Sequence, residues 1–286
     1  MKTRIVSAAV GIVLLLAVLL CPYTVVLAVL LAAIAALAVW ELLHATGRVK
    51  EPLLLYGSMA FAAAGVLAQY AAQATAGLYP AEARTAFSPY HVLAVLPLLL
   101  VLLYGVFLVL VLLRHHAGTD VSTVGYAAFL TLYATAGFAS LAAIRVMQHG
   151  LLFLLVVLLI PWMSDTGAYF VGTFFGKHKM TPVISPKKSW EGFFGGWAVA
   201  IGSAVLAGVI YHAATGAPGH CLLLAVLAFV LAPLSVCGDL FASVIKRQSG
   251  IKDYGRIMPG HGGVMDRFDS VVVIAPLLYM LLVLVV

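Results

Sequence analysis

The sequence predicts an all-α, polytopic integral membrane protein of about nine transmembrane helices, with the N-terminus cytoplasmic and the C-terminus outside. Three observations predict it. Of 286 residues, 64% are hydrophobic and only 9% charged, where a water-soluble domain carries about 25% charged residues. The apolar residues gather into separate runs of about the 20 residues that a spanning helix needs. Lysine and arginine avoid alternate loops, as basic residues retained in the cytoplasm do.

The runs are 5–21, 23–45, 52–73, 91–113, 124–144, 151–174, 192–211, 220–237 and 267–286. The first follows Met1-Lys2-Thr3-Arg4 and resembles a signal peptide. Leu20 is not the small residue that a lipoprotein signal needs before Cys21, and no A-x-A site follows, so the run is read as a retained first span. The second run carries Glu41 near its cytoplasmic end, within reach of the headgroups. His115-His116 and Asp120 follow the fourth run as a solvated loop. The sixth is interrupted by Ser164-Asp165-Thr166, and the eighth leads straight into Gly238-Asp239. Cys21, Cys221 and Cys237 show no CxxC spacing and are read as small buried residues. His91, His149, His212 and His220 sit near loop ends and carry no pattern.

With the N-terminus inside, fourteen of the sixteen Lys and Arg residues lie in inside loops; Arg84 and Arg145 are the two outside. This topology accounts for the net charge of +6 without a nucleic-acid partner. It also locates the chemistry. Nine of the fourteen fall in two loops, 175–190 and 238–267, mixed with acids, Gly, Pro and His. Residues 1–150 are therefore read as a scaffold of helices, available for lipid or dimer contact. Residues 151–286 are read as the catalytic region with its two cytoplasmic loops.

Three groups carry chemistry. Asp165, inside a span, is costly unless it faces a cavity or a partner. The segment from Gly176 to Gly192 brings Lys177, Lys179, Lys187 and Lys188 together with Ser185 and Ser189, a set that suits a phosphate-rich anion or a lipid headgroup. Ser189 is placed to cap the next helix, with Glu191 in its first turn; Trp190 reads as an interfacial anchor. The third group runs from Gly238 to Asp269. Asp239, Ser243 and Lys246 are spaced four and three apart, so they share one helix face, and Asp266 and Asp269 are spaced three apart. Pro259-Gly260-His261-Gly262-Gly263 cannot be regular helix, and its glycines let backbone N–H groups approach an anion. Acids for a hard cation and basics for phosphates suit phosphoryl or nucleotidyl transfer, where catalysis is mostly positioning and charge neutralisation. Magnesium takes one or two carboxylates plus substrate phosphates.

Residues 243–269, SVIKRQSGIKDYGRIMPGHGGVMDRFD, resemble the signature of phosphatidate cytidylyltransferases, also called CDP-diacylglycerol synthases. Met258 departs from the Leu, Ile or Phe of the pattern but stays apolar. SDTGAYFVG at 164–172 and SPKKSWEG at 185–192 look like further blocks of the same family. The resemblance covers 164–270; the first 150 residues match only as apolar helices. It implies attack by a phosphate oxygen of phosphatidate on the α-phosphorus of CTP, with loss of pyrophosphate. It also implies Mg2+, with or without a second, monovalent cation such as K+, a homodimer, and an active face on the cytoplasmic side of the bacterial inner membrane.

By the same similarity Asp239 and Asp266 are the metal ligands. Lys246, Arg247, Lys252 and Arg267 neutralise the phosphates of CTP or phosphatidate. Asp253 and Asp269 orient those basics or hold metal-bound water. His261, Gly262 and Gly263 shape the nucleotide site together with Ser243. Asp165, Lys187 and Lys188 complete the cavity. No covalent nucleophile is required, since phosphatidate is itself the nucleophile, and no GxSxG or HExxH motif is present.

Two rivals stand beside this reading. A CTP-dependent lipid kinase shares the cation-and-basic-loop logic but transfers the γ-phosphoryl group. A transporter with a cytoplasmic anion gate is the rival from another class; such proteins favour midplane sites and internal repeats, whereas here the polar residues crowd one surface. A CDP-alcohol phosphotransferase is disfavoured by the missing D-x-x-D-G-x-x-A-R run.

Overall fold

The computed structural model describes residues 24–78, 89–255 and 262–285. The predicted first run, 5–21, lies outside them. Among the described residues eight helices are long and apolar enough to cross a membrane, and the protein is an integral membrane protein. They are α1 (Thr24–Ala45), α2 (Pro52–Leu78), α3 (Pro89–Arg114), α4 (Val121–Val146), α5 (Gly150–Phe175), α6 (Trp190–Thr215), α7 (Cys221–Gln248) and α8 (Met265–Val285). Each follows one of the predicted runs. Two strands, β1 (Lys179–Thr181) and β2 (Ser185–Ser189), pair antiparallel between α5 and α6.

The local signals explain the boundaries. Asp120 is the N-cap of α4 and accepts the Thr123 N–H at 2.8 Å. Ser189 caps α6 by accepting the Gly192 N–H at 3.2 Å, as its position predicts. Gly216, at φ +70°, ends α6 in the left-handed conformation that glycine adopts without strain. Three expectations are corrected. Helix α7 does not stop with the apolar run at Cys237 but continues to Gln248; hydropathy falls there while the helical hydrogen bonding goes on. The 175–190 loop contains the β1–β2 hairpin. Cys237 is exposed, not buried, because a thiol is as well placed against lipid as in a core.

The chain divides into two compact units. Among the described residues, the first comprises 24–78, 89–147, 249–255 and 262–268, the second 148–248 and 269–285. In the first, α2 packs against α1, α3 and α4. Ser58 Oγ and Tyr104 Oη meet at 2.7 Å between α2 and α3, and Thr24 Oγ1 and Tyr70 Oη at 2.9 Å between α1 and α2. Phe268 packs on Phe138 of α4 with centroids 5.3 Å apart.

The second unit is organised by close contact between α5 and α6. The buried residues of α6 are Gly192, Gly196, Ala200, Ala204 and Gly208, a small residue at every fourth position. Such a stripe lets helix backbones approach closely in lipid, where no hydrophobic effect drives helices together. A Cβ on Gly196 would collide with the Ser164 carbonyl oxygen of α5, and one on Gly167 would lie 2.8 Å from Val199 Cβ. Gly202 lies on the same helix, but a Cβ there would meet only open space. Gly196→Ala is therefore expected to destabilise the protein by about 1–3 kcal/mol. Gly202→Ala should be neutral or stabilising by up to about 1 kcal/mol. Thermal unfolding of both variants in detergent checks the opposite signs.

Candidate active site

The α5–α6 seam places a cleft of about 280 Å³ in the second unit. Its lining includes Ser164 and Asp165 of α5, Lys187 and Lys188 of β2, and the capping Ser189. A two-stranded hairpin is marginal on its own, and this one is fastened to the start of α6. Trp190 N–H donates to the His178 carbonyl at 3.0 Å, and His178 Nδ1 lies 2.6 Å from Glu191 Oε1. Strand β2 thereby holds its lysines at the cleft. Lys188 Nζ lies 2.5 Å from Asp239 Oδ2 of α7. Its charge also acts on Asp165.

Asp239, Ser243 and Lys246 all lie within α7, so the predicted shared face exists. Gly238 makes room for the neighbouring helix: a Cβ there would lie 2.9 Å from the Asp269 carbonyl oxygen and 3.0 Å from Ser270 Cα. Asp269 is buried, accepts the Ser270 N–H at 2.7 Å, and feels the charges of Asp239, Lys246 and Asp165. Arg247 is exposed. The second unit thus gathers Asp165, Lys188, Asp239, Lys246 and Asp269 around one polar region.

The first unit holds the other predicted residues. Lys252 and Asp253 are exposed, as is Arg267. Asp266, in the first turn of α8, accepts the Tyr254 N–H at 2.8 Å and the Gly263 N–H at 3.0 Å, both on Oδ2. These two bonds set the plane of its carboxylate. Gly262 has φ +84°, which a residue with a side chain adopts only under strain. The Gly263 N–H is satisfied within the chain. His261 lies outside the described residues.

Glu41 is the residue the sequence reading misplaced. It does not reach the headgroups. It is fully buried and accepts the Val264 N–H at 2.9 Å on Oε1 and the Met265 N–H at 2.8 Å on Oε2. Sequence carries no signal for this pairing beyond an acid near the end of a span.

The carboxylates of Asp239 in the second unit and of Asp266 in the first are each hard oxygen donors of the kind Mg2+ takes. Among the described residues no group of three or more His, Cys, Asp or Glu is arranged to hold a metal ion; a cation completed by substrate phosphates needs fewer. The Lys188 and Asp239 side chains remain 23% and 27% exposed, so their pairing is worth about 0.5–1 kcal/mol. A double-mutant cycle of Lys188→Met and Asp239→Asn, read by thermal unfolding in detergent, should return a coupling of about that size.

Comparison with known proteins bears on what this arrangement does. A family model described as "Cytidylyltransferase family" matches residues 2–285. A Staphylococcus epidermidis protein named phosphatidate cytidylyltransferase is 45% identical over 136 residues, 48% of this chain and 51% of the relative. Bacillus subtilis and Haemophilus influenzae proteins of the same name are 42% identical over 137 residues (48% of this chain, 49% of the relative) and 43% identical over 131 residues (45% and 44%). The chain spans about half the length of the curated relatives it matches. Because the family match runs over nearly every residue of the sequence, the chain belongs to the cytidylyltransferase family.

Proposed function

We propose that this protein transfers the cytidylyl group of CTP to phosphatidate, giving CDP-diacylglycerol and pyrophosphate for phospholipid synthesis. The observation that carries the reading is the family match over residues 2–285, in which the 243–269 segment bears the polar signature. A phosphate oxygen of phosphatidate attacks the α-phosphorus of CTP. The bond from that phosphorus to the α–β bridging oxygen breaks, and pyrophosphate leaves. The lipid phosphate is the nucleophile, so no side chain forms a covalent intermediate.

The roles follow from chemistry and the resemblance. Lys187 and Lys188 at the cleft hold a substrate phosphate. Lys246, Arg247, Lys252 and Arg267 offset the remaining phosphate charge, and Asp253 and Asp269 orient these cations. Asp239 and Asp266 are assigned as ligands of Mg2+. When bound, the cation polarises phosphoryl oxygens and offsets charge on the departing pyrophosphate. The protein's own part is to hold the acids and lysines in place before substrate arrives, the preorganisation that dominates phosphoryl-group chemistry.

The charge distribution supports nine spans, with the basic loops on the cytoplasmic side of the inner membrane, where CTP is available and phosphatidate presents its headgroup from the leaflet. The resemblance further supports a homodimer. A reporter fused after Val286 should accordingly be active outside the cytoplasm; activity inside would mean a different number of spans.

The reaction is tested with CTP labelled separately at the α- and γ-phosphates, in mixed micelles with phosphatidate and Mg2+. The α-label should enter lipid while the γ-label leaves as pyrophosphate. γ-Label in lipid would indicate a kinase, and no labelling of lipid would point to transport. Chelation of the metal should stop transfer and added Mg2+ restore it. Asp266→Asn should abolish turnover in a protein that remains folded in detergent; near-normal activity would remove Asp266 from the metal site.

A further inference from the structure

Val264 stands where a capping residue would stand at the start of α8: the Arg267 N–H donates to its carbonyl at 3.0 Å, and Met265 is the first helical residue. Valine has no side-chain acceptor, so the first amides of the helix need a partner from elsewhere. Glu41 is that partner. It comes from α1, 223 residues earlier in the chain, and grips two successive amides with its two oxygens. The surroundings are cut to fit it. A Cβ on Gly263 would lie 2.5 Å from both Glu41 oxygens, and one on Gly255 would overlap Oε1. A carboxylate occupies the space beside those two glycines that a side chain would need.

Asp266 completes the arrangement from the other side. It takes the Gly263 and Tyr254 amides, so the consecutive amides of 263, 264 and 265 are shared between two carboxylates. The turn that aims Asp266 is therefore bolted to α1 through Glu41. We infer that Glu41 is a positioning residue for the cation-binding carboxylate Asp266, acting through the backbone of 263–265. The inference rests on the proposed cation role of Asp266. It gives the N-terminal half of the chain a part in cation use beyond that of a scaffold.

The test uses the full chain in detergent and the Glu41→Gln variant, which keeps the shape but loses the charge and one acceptor oxygen. Three quantities are measured: amide hydrogen exchange in peptides covering 262–266, Mn2+ binding by electron paramagnetic resonance as a stand-in for Mg2+, and the Mg2+ dependence of cytidylyl transfer. Exchange at Val264 and Met265 should quicken by about tenfold or more, as expected when a charge-assisted bond is lost. The Mn2+ dissociation constant and the half-activating Mg2+ concentration should each rise by about tenfold, the scale of losing a group that orients a metal ligand. KM for phosphatidate should not change. Gly263→Ala, which leaves Glu41 in place but crowds it, should produce the same pattern and serves if Glu41→Gln does not fold.

Unchanged exchange would overturn the inference, since Glu41 would not then hold the turn. Faster exchange with unaltered Mn2+ binding and Mg2+ dependence would also overturn it, leaving a cap without a positioning role. If the unsubstituted protein transfers no cytidylyl group while the exchange and Mn2+ differences appear as expected, the proposed reaction fails and the role of Glu41 stands.

Discussion

Three consecutive backbone N–H groups, at Gly263, Val264 and Met265, sit in buried residues and are bonded by two carboxylates. Each such group left unbonded costs about 1–3 kcal/mol, so the irregular segment ahead of α8 can exist only because these acceptors are present. The start of α8, the smallness of Gly255 and Gly263, and the plane of the Asp266 carboxylate all follow from that one requirement. The usual remedy is a capping side chain supplied locally. Here it is supplied by a different helix, which converts a local need of the backbone into a tertiary tie.

The second unit meets its own need differently. Its cleft is bounded by α5 and α6, whose contact is made by glycine and alanine. The separation of the two helices is therefore set by backbone against backbone rather than by rotamer-rich side chains. The capped start of α6 and the His178–Glu191 pair then fix the hairpin on the same frame. Lys188 reaches Asp239 from a strand of five residues that would not be stable alone. Rigid small-residue packing beneath and polar fastenings above together hold charged groups where lipid would otherwise exclude them.

Much of this was legible in the sequence, and the rest was hidden for identifiable reasons. The helices were visible because about 20 apolar residues are the minimum a span requires. The shared face of Asp239, Ser243 and Lys246 was visible because helical spacing does not depend on tertiary contact. The end of α7 was misjudged because hydropathy reports solvent and not hydrogen bonding. The hairpin escaped because Ser185-Pro186-Lys187-Lys188-Ser189 shows no alternation of apolar and polar residues. Glu41 escaped because its partners are backbone amides more than two hundred residues away, and main-chain acceptors leave no trace in composition or periodicity. The glycine run was read as room for an anion; beside Gly263 the structure places the carboxylate of Glu41.

The Lys188–Asp239 contact has a thermodynamic consequence. One ammonium group and one carboxylate are each other's neighbours before any ligand arrives. A cation that settles on Asp239 sets the lysine free, and an anion that draws the lysine away exposes the carboxylate. Linkage makes this reciprocal: whatever one ligand gains in affinity from the presence of the other, the other gains equally. The pair thus works as a latch that either charge can lift for its opposite.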